Sequence, residues 1–242
     1  MQPIEPIAGL ELIDLAIYIP KHKILCIADV HIGYEQALTK QGVLVPKFHF
    51  KDIIKRIEKI LRFMKDSDRS IETIIINGDL KHEFGTISDE EWRNTIRFID
   101  LLSRHCKKIL LIKGNHDTIL GPIAEKRKVE LIDSYKVGEF FFCHGDSIPS
   151  IPKGIKTILI GHEHPAVTLR DGVRNETFKS HLIGSYRRHK IIVQPSFNQL
   201  VEGTDVKEEK LLSPFLKSGI SDFRAFIIGD KIYDFGLLKK LK

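Results

Sequence analysis

Apolar residues in this chain gather in short branched runs and in stretches of helical spacing, and each kind predicts an element. Ile109-Leu110-Leu111-Ile112 is a run of the first kind and reads as a strand covered on both faces, with Gly114 marking a sharp turn beyond its end. "ETIIING" reads the same way. Between them, Ser88 followed by Glu91 forms a capping box, so "SDEEWRNTIRFIDLLSRHC" is expected to be a helix. A second helix is expected from Phe48 to Met64, where Ile53, Ile54, Ile57, Ile60 and Leu61 recur at helical spacing. Upstream, "ELIDLAIYIPKHKILCIAD" alternates on either side of Pro20-Lys21 and predicts two paired strands ending at Asp29. The first half is therefore β-α-β-α-β, the order of a buried sheet with crossover helices.

The second half changes character. "GEFFFCHGD", "KTILIGHEHP" and "AVTL" are short strands, Asp171-Gly172 is a hairpin turn, and "RAFIIG" and "KIYDFG" pair around Gly229-Asp230. Strands concentrated late predict an α/β fold of two sheets packed face to face with helices outside. There is no internal repeat, and residues 202–222 are expected to be an exposed loop. One domain over 1–242 is the expectation, since 242 residues at 42% hydrophobic can bury a sizeable core.

Charge narrows the range of partners. A formal net charge of +6 makes an anionic partner plausible, with the positive residues spread along the chain and not run together in one block. The first ten residues have no basic start, and Glu11 and Asp14 break the apolar residues that follow, so neither a signal peptide nor a membrane span is expected and the cytoplasm is the expected setting. Cys26, Cys106 and Cys143 lack paired zinc spacing and leave one odd thiol in any disulfide scheme; Cys26 and Cys143 lie in apolar strands and are expected to pack as small hydrophobes.

The chemistry stands at the strand ends. "IADVH" supplies Asp29 and His31, "INGDLKH" Asp79 and His82, "KGNHD" Asn115 and His116, "FFCHGD" His144, and "LIGHEHP" His162 and His164. Six of the eleven histidines thus follow an apolar strand, each beside Gly or a carboxylate, which ordinary turns do not account for. Mixed oxygen and nitrogen donors without thiolate suit Mn, Fe or Zn ions. A carboxylate between two cations can bridge them, and Asp79, preceded by Gly78, is the candidate bridge.

The ordered series D-x-H, G-D, G-N-H-D, H and G-H-x-H, from Asp29 to His164, resembles the calcineurin-like metallophosphoesterases. "ADVHIGYEQALTKQGVLVP", "GDLKHEFG" and "PSFNQL" are further similar to the SbcD-related, ICC-like group found in archaea and beside bacterial nucleic-acid repair genes. The resemblance implies a four-layer α/β/β/α sandwich and two divalent metal ions, with Mn2+ as first choice and Fe or Zn as alternatives. It implies one metal on Asp29, His31, Asp79 and His164, and the other on Asp79, Asn115, His144 and His162. His116 is then an unligated catalytic residue with Asp117 orienting its ring, and His82 faces the substrate phosphate. The function implied is two-metal phosphodiester hydrolysis by a Mn-dependent nuclease cutting single-stranded DNA in repair. Lys81, Arg187, Arg188 and Lys190 are the candidate basic contacts, with a solvated hairpin end as the alternative for "RRHK", and Tyr34, Trp92 and Phe197 are stacking or core aromatics. A small-molecule phosphodiesterase or phosphomonoesterase is the alternative. A binding module that has lost catalysis is disfavoured, because the histidine of G-N-H-D and every implied ligand are retained.

Overall fold

Seven strands follow one another in chain order across the first sheet: β1 (Ile4–Ile7), β2 (Leu10–Ile13), β3 (Ala16–Ile19), β4 (Ile24–Ile27), β5 (Thr73–Asn77), β6 (Lys108–Ile112) and β7 (Glu130–Ile132). The structure, a computed structural model, describes residues 1–45, 48–83, 88–117, 120–127, 129–172 and 174–241. Pro46 and the Phe84-Gly85 end of "GDLKHEFG" lie outside the described residues. β1 to β4 pair antiparallel, and β4 to β7 pair parallel. The parallel strands read as unbroken apolar runs because both of their faces are covered. Helices α1 (Tyr34–Lys40) and α2 (His49–Asp66) connect β4 to β5, α3 (Asp89–Leu102) connects β5 to β6, and α4 (Gly121–Arg127) precedes β7. Ile53, Ile57 and Ile60 of α2 and Phe98, Ile99 and Leu102 of α3 join the strands in one core.

Two expectations need correction here. The segment from Leu10 to Ile27 forms three strands, because Asp14 adopts left-handed backbone (φ 55°) and turns the chain before Pro20–His22 turns it again. Apolar alternation resumes on the far side of Asp14, so the pattern hides the break; Asp also tolerates this conformation better than most residues. In the capping box, Ser88 Oγ accepts from the Glu91 amide (3.1 Å) as expected, but the Glu91 carboxylate instead accepts from the amides of His82 (3.1 Å) and Glu83 (3.2 Å).

The second sheet holds β8 (Ser134–Val137), β9 (Phe140–Cys143), β10 (Thr157–Ile160), β11 (Pro165–Asp171), β12 (Arg174–Tyr186), β13 (His189–Val193), β14 (Thr204–Asp205) and the hairpin β15 (Arg224–Ile228) and β16 (Ile232–Leu237). The long β12 pairs with β11 through its first half, and with β13 and β15 through its second. β9, β10 and β13 run parallel. Alternation along these strands divides their side chains between two cores. Phe140, Phe142, Leu159, Ile192 and Phe226 face the first sheet, while Phe141, Cys143, Ile158, Ile160, Ile191 and Ile227 face away from it. Cys26 and Gln194 tie the sheets together, the thiol donating to Oε1 (3.1 Å) and Nε2 to the Cys26 carbonyl (3.3 Å). The fold is a mixed α/β arrangement of two packed sheets with helices, as the strand and helix order predicts.

The outward core of the second sheet is closed by the segment expected to be an exposed loop. Val206, Phe215, Leu216 and Ile220 are buried there, with Pro214–Leu216 forming a 3-10 turn. Their irregular spacing follows neither sheet nor helix period, so the pattern gives no sign of burial. Phe215, stacked edge-on against Tyr186 with ring centroids 4.8 Å apart, anchors the cover. Phe215→Ala is expected to cost about 3–5 kcal/mol, read as a lowered denaturant midpoint with an unchanged slope; a loss below about 1 kcal/mol would show that the cover does not stabilise the sheet.

Candidate metal centre

The carboxyl ends of β4, β5, β6, β9 and β10 converge on one edge of the two sheets, and the polar clusters read from the sequence stand on the loops that leave it. Backbone bonds splice these loops together. His31 N donates to Asp79 O (2.9 Å), Ile32 N to Leu80 O (3.0 Å) and Gly161 N to His144 O (2.8 Å). The "PSFNQL" stretch clasps the Asp29 loop from the other sheet: Phe197 N donates to Ala28 O (2.8 Å), Asn198 N to Asp29 O (3.1 Å) and Ser196 Oγ to Asp29 O (2.9 Å).

These splices hold the backbone in an unusual shape. Among the described residues nine non-glycine residues have positive φ, and Asp29, His31, Asp79, His162 and His164 are five of them. Each such residue costs roughly 1–3 kcal/mol, so a concentration of them marks a site whose side-chain directions are imposed by the surrounding structure. Three glycines make the inward turn possible. A Cβ on Gly78 would stand 1.9 Å from His144 Nδ1, one on Gly114 would stand 2.1 Å from Asp79 Oδ1, and one on Gly161 would stand 2.5 Å from Asp29 Oδ2.

The side chains meet in three adjoining groups, of which His31, His82 and His116 form one and the other two hold the carboxylates. Asp29, His31 and His164 bring one donor atom each within 4.8 Å of one another, and so do Asp79, His144 and His162. In the first group His31 Nε2 lies 3.2 Å from His164 Nε2, and Asp29 Oδ1 lies 3.6 Å from that same nitrogen. In the second, His144 Nε2 lies 3.2 Å from His162 Nδ1 and 3.0 Å from Asn115 Oδ1. Asp79 Oδ2 stands between the groups, 3.8 Å from His31 Nε2 and 3.5 Å from His144 Nε2. Donors around a metal with bonds of about 2.0–2.1 Å are spaced about 3.0–3.4 Å apart, so both groups have the spacing of a coordination shell. Asp29 Oδ1 is buried without a hydrogen-bond partner among the described residues, which a bound cation would remedy. The residues present thus fit a pair of divalent ions.

Without a cation the groups perturb one another. Burial lowers the pKa of His31 well below the usual imidazole range, and His164 beside it adds to the effect. Burial alone would raise the Asp79 carboxyl, but His144, His31 and His116 outweigh it and hold the group below the ordinary carboxylate range. Burial would likewise depress His144, yet Asp79 and Asp29 push it up to about 9.

The H-x-H pair divides between the groups, His162 joining Asp79 and His164 joining Asp29. Glu163 between them points the other way, fully buried, and accepts from the amides of Leu212 (2.9 Å) and Ser213 (2.8 Å). His82 and His116 flank the first group. Their rings stack at 5.0 Å and 26°, and His82 Nδ1 lies 3.3 Å from His31 Nδ1. Tyr34 presents its ring to His82 edge-on, with centroids 4.5 Å apart.

Three expectations about other residues change. The His116 ring is oriented through Nδ1 by the carbonyl of His82. The Asp117 carboxylate accepts instead from the amides of Gly114 (3.0 Å), Leu80 (3.1 Å) and Lys81 (3.5 Å), pinning two ligand loops together; burial and nearby Asp79 push its pKa up to about 7. Lys81 is fully buried, its Nζ donating to the carbonyls of His116 (2.5 Å) and Glu83, so it braces the site and cannot touch a polyanion. Arg187, Arg188 and Lys190 stand at the amino end of β13, the opposite edge from the histidines. Phe197 is core, and Trp92 packs partly buried against it. The Glu91 carboxylate, which ties His82 and Glu83 down, is a supporting residue that the capping pattern pointed away from.

A family model described as calcineurin-like phosphoesterase matches residues 22–166, more than half of the chain and all of the constellation from Asp29 to His164. Among solved structures, the nuclease MPE of Pseudomonas putida is similar in fold, with a TM-score of 0.69 and 22% identity over 97% of this chain and 99% of that one. A protein of unknown function from Aquifex aeolicus, AQ665, aligns with a TM-score of 0.36 and 17% identity over 58% of this chain and 78% of that one. No curated protein matches the chain. Gly114→Ala is expected to displace the Asp79 carboxylate and cut bound divalent metal well below the wild-type ratio, measured by elemental analysis, while the far-UV circular dichroism stays unchanged. Full metal content in that variant would show that the β6 loop can yield without cost to the site.

Proposed function

Because the chain belongs to the calcineurin-like phosphoesterases, hydrolases that use divalent metal ions, we propose that it is a two-metal phosphodiesterase acting on nucleic acid. In this reading Asp29, His31, Asp79 and His164 hold one ion, and Asp79, Asn115, His144 and His162 hold the other. The observation that carries it is the position of Asp79 Oδ2, within 3.8 Å of a nitrogen from each imidazole set, where one carboxylate can serve both ions. When bound, the ions neutralise phosphate oxygens and supply a hydroxide at neutral pH.

The chain's own groups do the rest. His116 N donates to Asp79 Oδ1 (2.9 Å), which fixes the histidine's backbone to the bridging carboxylate. With Nδ1 engaged by the His82 carbonyl, Nε2 is the atom that carries a proton to the departing ester oxygen as the bond to phosphorus breaks. His82, stacked beside His116 and lodged against Tyr34, faces the substrate phosphate and orients it.

Support for a nucleic-acid substrate comes from the net charge of +6, from the motifs similar to the SbcD-related group, and from compatibility with a fold that a bacterial nuclease also adopts. We take manganese as the metal and a single-stranded DNA endonuclease in repair as the specific form, in the cytoplasm. One observation favours a second reading, a phosphoesterase of small substrates: Lys81 is buried and Arg187, Arg188 and Lys190 stand at the far edge, so none of the four basic residues read from the sequence lines the metal edge.

Cleavage of circular single-stranded DNA by metal-stripped protein resupplied with Mn2+, run beside a chromogenic phosphodiester, separates the two. Opening of the circle supports the endonuclease; hydrolysis of the diester alone gives the small-substrate reading or a nuclease that requires ends. His116→Ala is expected to keep both ions and lose about 10²–10⁴-fold in turnover, whereas loss of metal would make His116 a ligand. Asp79→Asn is expected to weaken both sites together, and a variant retaining two tightly held ions would remove Asp79 from the bridge.

A further inference from the structure

The basic residues that the metal edge does not use converge elsewhere. Parallel pairing fixes where each strand begins, and the amino ends of β4, β5 and β6 in one sheet and of β9, β10 and β13 in the other share a single face of the molecule. Lys23, Lys107, Lys156, Arg187, Arg188 and Lys190 are all exposed on it. The face is continuous across the two sheets. In the first sheet, Lys107 N and Lys108 N donate to Glu72 O, and Glu72 N to Lys23 O. The junction is His22, whose ring meets Phe140 edge-on at 6.2 Å and lies so close to Gly138 that a Cβ there would stand 2.8 Å from Nε2. In the second sheet, Lys156 N donates to Glu139 O and Lys190 N to Lys156 O, which leads to the Arg187-Arg188 turn.

The charge on this face is not cancelled internally. Glu72 is shared between Lys23 (3.2 Å) and Lys107 (3.4 Å), so two cations face one carboxylate. Glu139 pairs with Lys156 (2.7 Å) and Glu130 with Lys108 (2.6 Å), so the uncancelled charge lies at Glu72 and at the Arg187-Arg188 turn. Among the described residues Arg187, Arg188 and Lys190 form no ion pair; the Arg187 guanidinium rests 5.2 Å from the centroid of the Tyr186 ring, which holds it outward.

We propose that this face is a second nucleic-acid contact, a sequence-independent seat for a phosphate backbone that the metal centre does not cleave. The unpaired cations Arg187, Arg188 and Lys190, with the surplus cation at Glu72, leave this face net positive, and a phosphate backbone seated there gains from counterion release. The proposal does not depend on hydrolysis, since the seat and the histidines occupy opposite edges. It explains why a chain that acts on phosphoesters keeps its free arginines away from the chemistry: they hold the strand or duplex on which, or beside which, the other edge works.

The test is binding of a fluorescent DNA duplex of about two helical turns to full-length protein across a salt series, with probe integrity checked on a gel and hydrolysis of a chromogenic diester measured in parallel. The triple variant Arg187→Ala, Arg188→Ala, Lys190→Ala is expected to weaken duplex binding by about tenfold or more at 0.1 M salt. It should also flatten the slope of log affinity against log salt by about 2–3, with diester hydrolysis and metal content unchanged. Lys107→Ala with Lys108→Ala, at the other end of the face, is expected to act in the same direction. Unchanged affinity and slope in both variants would overturn the proposal. So would tight binding to phosphatidylserine vesicles, lost in the triple variant, in a protein that binds duplex no better than its variant does, since the face would then be a membrane contact. Diester hydrolysis reports on the metal centre alone, so failure there would count against the proposed chemistry and not against this seat.

Discussion

The Asp79 carboxylate is the anion around which the metal edge is arranged, and its position is set by what is missing next to it. Gly114 leaves the space that Oδ1 occupies, Gly78 leaves the space for His144, and the left-handed backbone at Asp79 aims the group between them. Oδ1 then anchors the His116 amide while Oδ2 faces both imidazole sets. Each of these placements excludes an ordinary side chain or an ordinary backbone angle. They persist because the adjoining loops are fastened by backbone bonds on both sides and by Asp117 and Glu91 beneath, carboxylates that accept from main-chain amides. Rigid strands end where the donors begin, so the strain at the loops is borne by cores that have no chemical role.

What could be read without coordinates followed from local contrast. A polar residue that ends an apolar run is conspicuous, and the donor residues at five strand ends stood out for that reason. The preceding glycines were visible too, as turn markers, although their purpose of admitting a neighbour's ligand from another strand belongs to tertiary structure. Asp14 was concealed because alternation continues past it. Glu91 was concealed by a cap whose other half was genuine, its carboxylate having a better partner than Ser88. The 202–222 segment was misjudged because burial by irregular chain leaves no period.

Charge was the least legible property, and Lys81 and Arg187 show why. A lysine next to a ligand motif reads as a substrate contact, yet the ammonium of Lys81 donates to two main-chain carbonyls beneath the site. An arginine pair before an apolar run carries no sign of which edge it will occupy. That depends on strand direction, which is fixed by pairing with β10, some thirty residues away in the chain.

Strand direction also explains the division of labour between the two edges. In a parallel sheet the loops at the carboxyl ends can converge, and donors placed there approach one another closely enough to share a cation. The amino ends carry side chains that point into water, where like charges can stand a strand's width apart with little mutual cost. Attraction for a phosphate at the metal edge is short-ranged and needs desolvated donors held to within tenths of an ångström. Attraction at the far edge is long-ranged, tolerant of position and sensitive to salt. Mixing the two would place mobile lysines where they could compete with cations for Asp29 and Asp79. On the proposed reading, segregating them lets one sheet polarity serve both, with the candidate ligands at one end of the strands and the exposed basic residues at the other.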